Sequence, residues 1–216
     1  MARQCTIDRR PGPIGRTVSA QAARPHGPIG WALGHLWVHE TAAVNDRAIA
    51  LLEPEPGEHV LELGCGPGRT AAQIARHGAR VTCLDPSPAM IAAARRRNRA
   101  AIDAGTVRLL IGDAGSVPAP DASYQAALAV HTIYFWPDLG AGLREAHRVL
   151  VPGGRLAIGF RPAERGRPRR LDPMIYKIPT TNQLIEALGT AGFVEPIVDE
   201  AASAVIVVAT VPEPVG

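Results

Sequence analysis

The eleven residues Val60–Thr70, VLELGCGPGRT, constrain the fold more than any other stretch of this chain. An apolar run carrying one acid, Glu62, enters three glycines at alternate positions, Gly64, Gly66 and Gly68, and a helical pattern follows at once. Glycines let a chain turn sharply and let its backbone approach a ligand with no Cβ in the way. The helix that follows aims its unpaired N–H groups into the same space. A strand, a glycine turn and a helix in that order open the nucleotide-type pocket of a parallel α/β sheet.

The alternation continues beyond this run. Strands are expected at 59–63, 80–84, 107–111, 124–130 and 155–160, separated by helical patterns at 70–77, 88–104, 138–150 and 181–188. Ser87 followed by Pro88 reads as a helix start, as does Asp138, while Pro152-Gly153-Gly154 reads as a turn. Strand and helix alternating in this way imply βαβ units and a mostly parallel sheet. The last two apolar runs, Val194–Val198 and Ala204–Val211, have only Asp199–Ser203 between them. That gap is too short for a crossover helix, so they should form an antiparallel hairpin at one edge. Residues 1–28, rich in Arg, Pro and Gly without periodicity, are expected to be a flexible tail. Residues 29–55 carry helically spaced apolar positions and are expected to cap the pocket of the domain at 56–212.

Composition narrows the classes of function. The chain has 216 residues, 46% of them hydrophobic, and no apolar run near the length of a membrane helix, which points to a cytoplasmic domain with no membrane span. The net charge of +3 is carried by arginine, since Lys177 is the only lysine. The run Arg95, Arg96, Arg97, Arg99 reads as a solvated helix face, so no nucleic acid is expected as a partner. Cys5, Cys65 and Cys83 have no metal-ligand spacing and fit free thiols in a reducing compartment. His35 and His39 stand one helical turn apart, but no further ligand cluster accompanies them, so no metal is expected. Lining the pocket from above is the role expected for that pair. Oligomeric state is not legible; a homodimer is compatible with the chain.

Three short signals fall on three consecutive strand ends: the glycine turn, Asp85, and Gly112-Asp113-Ala114. An acid after the second strand can accept both hydroxyls of a ribose, and one after the third can meet an adenine amino group. The dinucleotide fingerprint is G-x-G-x-x-G, whereas this chain has G-x-G-x-G with Arg69 where the third glycine would stand. Glu62 would face a pyrophosphate unfavourably and suits a ligand with ammonium and sulfonium charge. No P-loop Gly-Lys-Ser/Thr follows the turn.

With these residues in view, the chain resembles the class I S-adenosylmethionine (SAM) dependent methyltransferases. Within them it is similar to the small-molecule enzymes related to ubiquinone/menaquinone C-methyltransferases, the methyltransferase type 11 group. The matching segments are LELGCGPGRT at 61–70, LDPSPAMI at 84–91, GDA at 112–114, LREAHRVLVPGGRLAI at 143–158 and LIEALGTAGF at 184–193. The resemblance implies an α/β, Rossmann-like, seven-stranded and mostly parallel sheet with an antiparallel C-terminal strand and helices on both faces. It implies SAM as cofactor. Gly64, Cys65, Gly66 and Gly68 would take its methionine and ribose end, with Glu62 holding the amino-acid part. Asp85 would take the ribose hydroxyls, Pro86 and Met90 would flank the adenine, and Asp113 and Ala114 would bind its edge. Val130 and His131, leaving strand four, would lie beside the methyl group.

Methyl transfer from a sulfonium is an in-line displacement for which positioning supplies much of the catalysis. A base is needed only where the acceptor carries a proton that must leave. His131 is the candidate catalytic group, since its side chain matches proton transfer near neutral pH. Tyr134 and Trp136, with Tyr176 following the arginines in the loop 161–179, are candidates for an apolar wall against a small-molecule acceptor. Two other readings stand beside transfer: a SAM-fold binding or regulatory protein without transfer activity, and a nucleotide-dependent oxidoreductase.

Overall fold

The computed structural model describes residues 12–27, 41–166, 171–201 and 204–214. Among the described residues seven strands form one sheet: β1 (His59–Leu63), β2 (Arg80–Asp85), β3 (Val107–Ile111), β4 (Tyr124–Val130), β5 (Leu150–Phe160), β6 (Val194–Glu200) and β7 (Val205–Thr210), in the order β3-β2-β1-β4-β5-β7-β6. β1 pairs in parallel with both β2 and β4, and β7 inserts antiparallel between β5 and β6. The hairpin inferred from the short 199–203 gap is present. Strand order reverses between β1 and β4, and a crevice opens at such a switch point beyond the strand C-termini.

The described helices are α1 (Pro13–Ala23), α2 (Ala42–Leu52), α3 (Arg69–Arg76), α4 (Pro88–Arg97), α5 (Arg99–Asp103), α6 (Leu139–Val149) and α7 (Thr181–Thr190). Alternate strand residues point to opposite faces. Val60, Val81, Cys83 and Leu128 pack with Val44, Ala48 and Leu52 of α2, Ile74 of α3 and Ile91 of α4. Leu61, Leu63, Leu156 and Ile158 pack on the other face with Leu143 of α6 and Leu184 of α7. Each fully buried branched side chain contributes about 1.5–3 kcal/mol relative to exposure. Among the described residues, no helix is long and apolar enough to cross a membrane.

Three expectations need correction. Residues 13–23, expected in an irregular tail, form α1, whose Ser19 and Gln21 are buried. The expected single helix over 88–104 breaks at Asn98, whose side-chain amide donates to the Gly68 and Ala94 carbonyls. Asn98 is thereby spent on tying the glycine turn rather than on continuing the helix. β5 begins at Leu150 rather than Arg155, because Gly153 and Gly154 bond Val211 while Leu150 still pairs with Tyr124. Of the segment 29–55 expected to cap the pocket, α2 at 42–52 packs on the sheet with Asn45 at the pocket, and residues 29–40, His35 and His39 among them, lie outside the described residues.

Candidate active site

The β1 exit is built by glycine geometry. Gly64 sits at φ +82, and a Cβ there would drive into the Thr132 side chain. Thr132 Oγ1 donates to the Leu63 carbonyl at 3.0 Å, so the ends of β1 and β4 are pinned across the switch point. Gly68, at φ +74, caps α3, and a Cβ there would strike Ala94 and Asn98.

A pocket of about 750 Å³ opens above these strand ends. Asp85, at the end of β2, is buried beneath it, with Oδ2 accepting the Gly66 N–H at 2.8 Å and Oδ1 the Ser87 N–H at 2.9 Å. A carboxylate has about four acceptor positions, so two N–H bonds leave capacity for a ligand. Burial raises the Asp85 pKa against the lowering effect of the Ser87 and Gly66 N–H groups. Glu62 lies beside Cys83 of β2 in the sheet register and is 5% exposed. Burial, with the Asp85 charge adding to it, pushes its carboxyl up to about 8. The Cys83 thiol and burial hold the Cys65 thiol well above its ordinary value, so Cys65 is a neutral wall atom and not a nucleophile.

Of the residues singled out from sequence, Glu62, Gly64, Cys65, Gly66, Asp85, Pro86, Met90, Asp113, Ala114, Val130, His131, Tyr134, Trp136 and Tyr176 all line this one pocket. Gly68 does not; its place is the helix cap and the contact with α4. Trp136 is wall and core at once, because a Cβ on Gly142 of α6 would strike its indole. Tyr176 stacks edge-on against Phe135, with ring centres 4.8 Å apart.

Sequence reasoning left several walls unassigned. Phe135, Asn45, Thr132 and Arg161 line the pocket, as do Ala22 and Ala23 at the end of α1 and Arg24 and Pro25 after it. Phe135 stood in the aromatic run, whereas 22–25 carried no periodic signal. Arg161 spends its guanidinium on the Arg165 and Gly166 carbonyls, and Arg165 bonds the carbonyls of Ala201 and Ala204. Arg167, Arg169 and Arg170 lie outside the described residues.

An open α/β sheet with an acid-lined crevice at its switch point defines the class, a fold that holds its ligand beyond the strand C-termini. The family described as "Methyltransferase domain" matches residues 61–158. An O-methyltransferase of Pyrenophora dematioidea is 34% identical over 153 residues, covering 66% of this chain and 56% of the relative. A demethylmenaquinone methyltransferase of Corynebacterium kroppenstedtii is 38% identical over 107 residues, covering 50% and 43%. A solved SAM-dependent methyltransferase of Thermotoga maritima, a possible histamine N-methyltransferase, superposes with a TM-score of 0.62 at 24% identity over 83% of this chain and 98% of that one. The chain spans about half the length of the curated relatives it matches. Over residues 61–158 the chain is similar to this methyltransferase domain, and its sheet has the fold of the solved methyltransferase.

Proposed function

We propose that this chain transfers a methyl group from SAM to a small-molecule acceptor. The observation that carries the proposal is a single pocket that joins the glycine turn, two buried acids and an aromatic wall. Its volume lies in the upper part of the range of small-molecule sites, roughly 300–1,000 Å³, which suits a nucleoside and an acceptor together.

The donor set fits a cationic nucleoside. Glu62 and Asp85 are both buried carboxyls at the pocket floor, and the charge of one raises the pKa of the other. A pyrophosphate would add like charge beside them, whereas an ammonium would return Glu62 to its ionised form. In this reading Glu62 holds the amino-acid end and Asp85 the ribose. Pro86 and Met90 flank the base, Asp113 and Ala114 meet its edge, and Gly64, Cys65 and Gly66 run beneath the chain between. When bound, SAM supplies an electrophilic methyl group on a positively charged sulfur. Val130 and His131 then face the reacting end, and Tyr134, Phe135, Trp136 and Tyr176 exclude water and hold an acceptor in line.

The test is transfer of labelled methyl from SAM across phenols, quinones, amines and fatty acids. Label in any acceptor supports the proposal; SAM binding with no transfer across acceptor classes favours a binding or regulatory role instead.

A further inference from the structure

His131 leaves β4 at φ +56, a left-handed conformation that costs a non-glycine residue roughly 1–2 kcal/mol. Such strain persists only where the surroundings hold it, and it gathers at working sites. Here the His131 N–H donates to the Gly159 carbonyl of β5 at 2.7 Å. The ring Nδ1 lies 3.1 Å from the Tyr134 hydroxyl, and that same phenol oxygen accepts the N–H of Arg161. The His131 backbone is therefore tied directly to β5, and its ring Nδ1 is tied through the Tyr134 hydroxyl to Arg161, the residue after β5.

Counting protons favours one tautomer. A phenol has one proton, and a neutral imidazole carries one on either nitrogen. If the Tyr134 hydroxyl donates to Nδ1, the phenol is satisfied as donor and as acceptor. If Nδ1–H donated instead, the phenolic proton would have no acceptor among the described residues, in a side chain only 5% exposed. An unmade bond in such a wall costs about 1–3 kcal/mol. The first arrangement puts the imidazole proton on Nε2. That atom has no protein partner among the described residues and stays accessible, on the pocket His131 lines. Burial holds the His131 pKa down to about 4, so the ring is neutral at ordinary pH.

We propose that Tyr134 is a positioning residue that fixes His131 as an Nε2–H donor facing the acceptor. The site then takes an acceptor whose reacting oxygen is already ionised, a carboxylate or an acidic enol or phenol. This rests on the methyl-transfer reading above. A general base must turn a free lone pair towards the proton it removes, and the one lone pair of this ring is occupied by Tyr134. With an ionised acceptor none is required. A lone pair of the acceptor oxygen forms the O–CH₃ bond as the S–CH₃ bond breaks. The bonding pair stays on sulfur, the oxyanion and sulfonium charges cancel, and no proton is released. The Nε2–H orients the acceptor.

The test uses the full chain with ¹⁵N-labelled histidine and two-bond ¹H–¹⁵N correlation spectra at about neutral pH, where an unperturbed histidine begins to titrate. His131 is expected as a neutral ring with Nε2 protonated, and Tyr134→Phe is expected to convert it to a mixture of tautomers. Protonation on Nδ1 in the unaltered chain, or an unchanged tautomer in Tyr134→Phe, would overturn the assignment. If the variant does not fold, the spectrum of the unaltered chain still decides. Benzoate and benzamide are then titrated as matched probes. Benzoate alone should move the Nε2 resonance; movement with benzamide alone, or with neither, overturns the acceptor class. Failure of SAM to bind would sink the transfer reading while leaving the tautomer result standing, so the two failures are distinguishable.

Discussion

At the residue scale, two buried carboxyls carry the claim about the cofactor. Asp85 is held by the Gly66 and Ser87 N–H groups. Asp85→Ala removes a hydrogen-bonding carboxylate, and SAM affinity should fall by roughly 1–3 kcal/mol, about five- to 150-fold. Calorimetric titration of the variant checks this, and unchanged affinity would mean that the ribose lies elsewhere. Glu62 leaves a signature in the ligand-free protein. Its carboxyl, raised to about 8 in the fold, binds more protons folded than unfolded from its ordinary 4.5 upward, so stability falls as pH rises through that window. His131, lowered to about 4, works in the opposite direction between 4 and 6.5. Above 6.5 the opposing His131 effect fades and the Glu62 effect remains. The melting temperature should therefore decline from pH 6.5 to 8, and Glu62→Gln should flatten that decline. These acids were legible in the sequence because Glu62 leads into the glycine turn and Asp85 follows directly on an expected strand. The partnership of His131 and Tyr134 was not, since it depends on the backbone of Arg161, brought over by a different strand.

At the element scale, one hydroxyl joins two pieces of the pocket. Ser87 Oγ accepts the Met90 N–H as the cap of α4 and donates to the Pro25 carbonyl at 2.6 Å. A second tie runs from the Asp172 N–H to Ser19 of α1. Ser87→Ala should cost about 1 kcal/mol for the lost cap. It should also speed proteolysis within 12–27, because the segment after α1 loses its bond to the domain. Asp138→Ala is the matched control. Asp138 caps α6 through the Ala141 N–H alone, so a similar stability loss should leave 12–27 as protected as before. The helix starts at Ser87 and Asp138 could be read from residue type and spacing. The α1 helix could not: eleven residues with Gly, Arg and Ser among them give weak periodicity, and the contacts at Ser19 and Pro25 are long-range.

At the scale of the whole molecule, the strand order β3-β2-β1-β4-β5-β7-β6 converts a linear alternation into one crevice between β1 and β4. Parallel strands and a terminal hairpin follow from the spacing of the apolar runs; the neighbour relations that put Thr132 against Gly64 follow only from the folded sheet. A ligand that spans β1, β2, β3 and β4 should stabilise the whole domain. At a hundredfold excess over its dissociation constant, SAM should add about 2.7 kcal/mol, read as a rise in melting temperature. The most direct test of the central claim is calorimetric titration of the unaltered chain with SAM and, separately, with NADH. The prediction is one SAM site and weaker or absent binding of NADH. Tighter binding of NADH, or no heat with SAM, would contradict it.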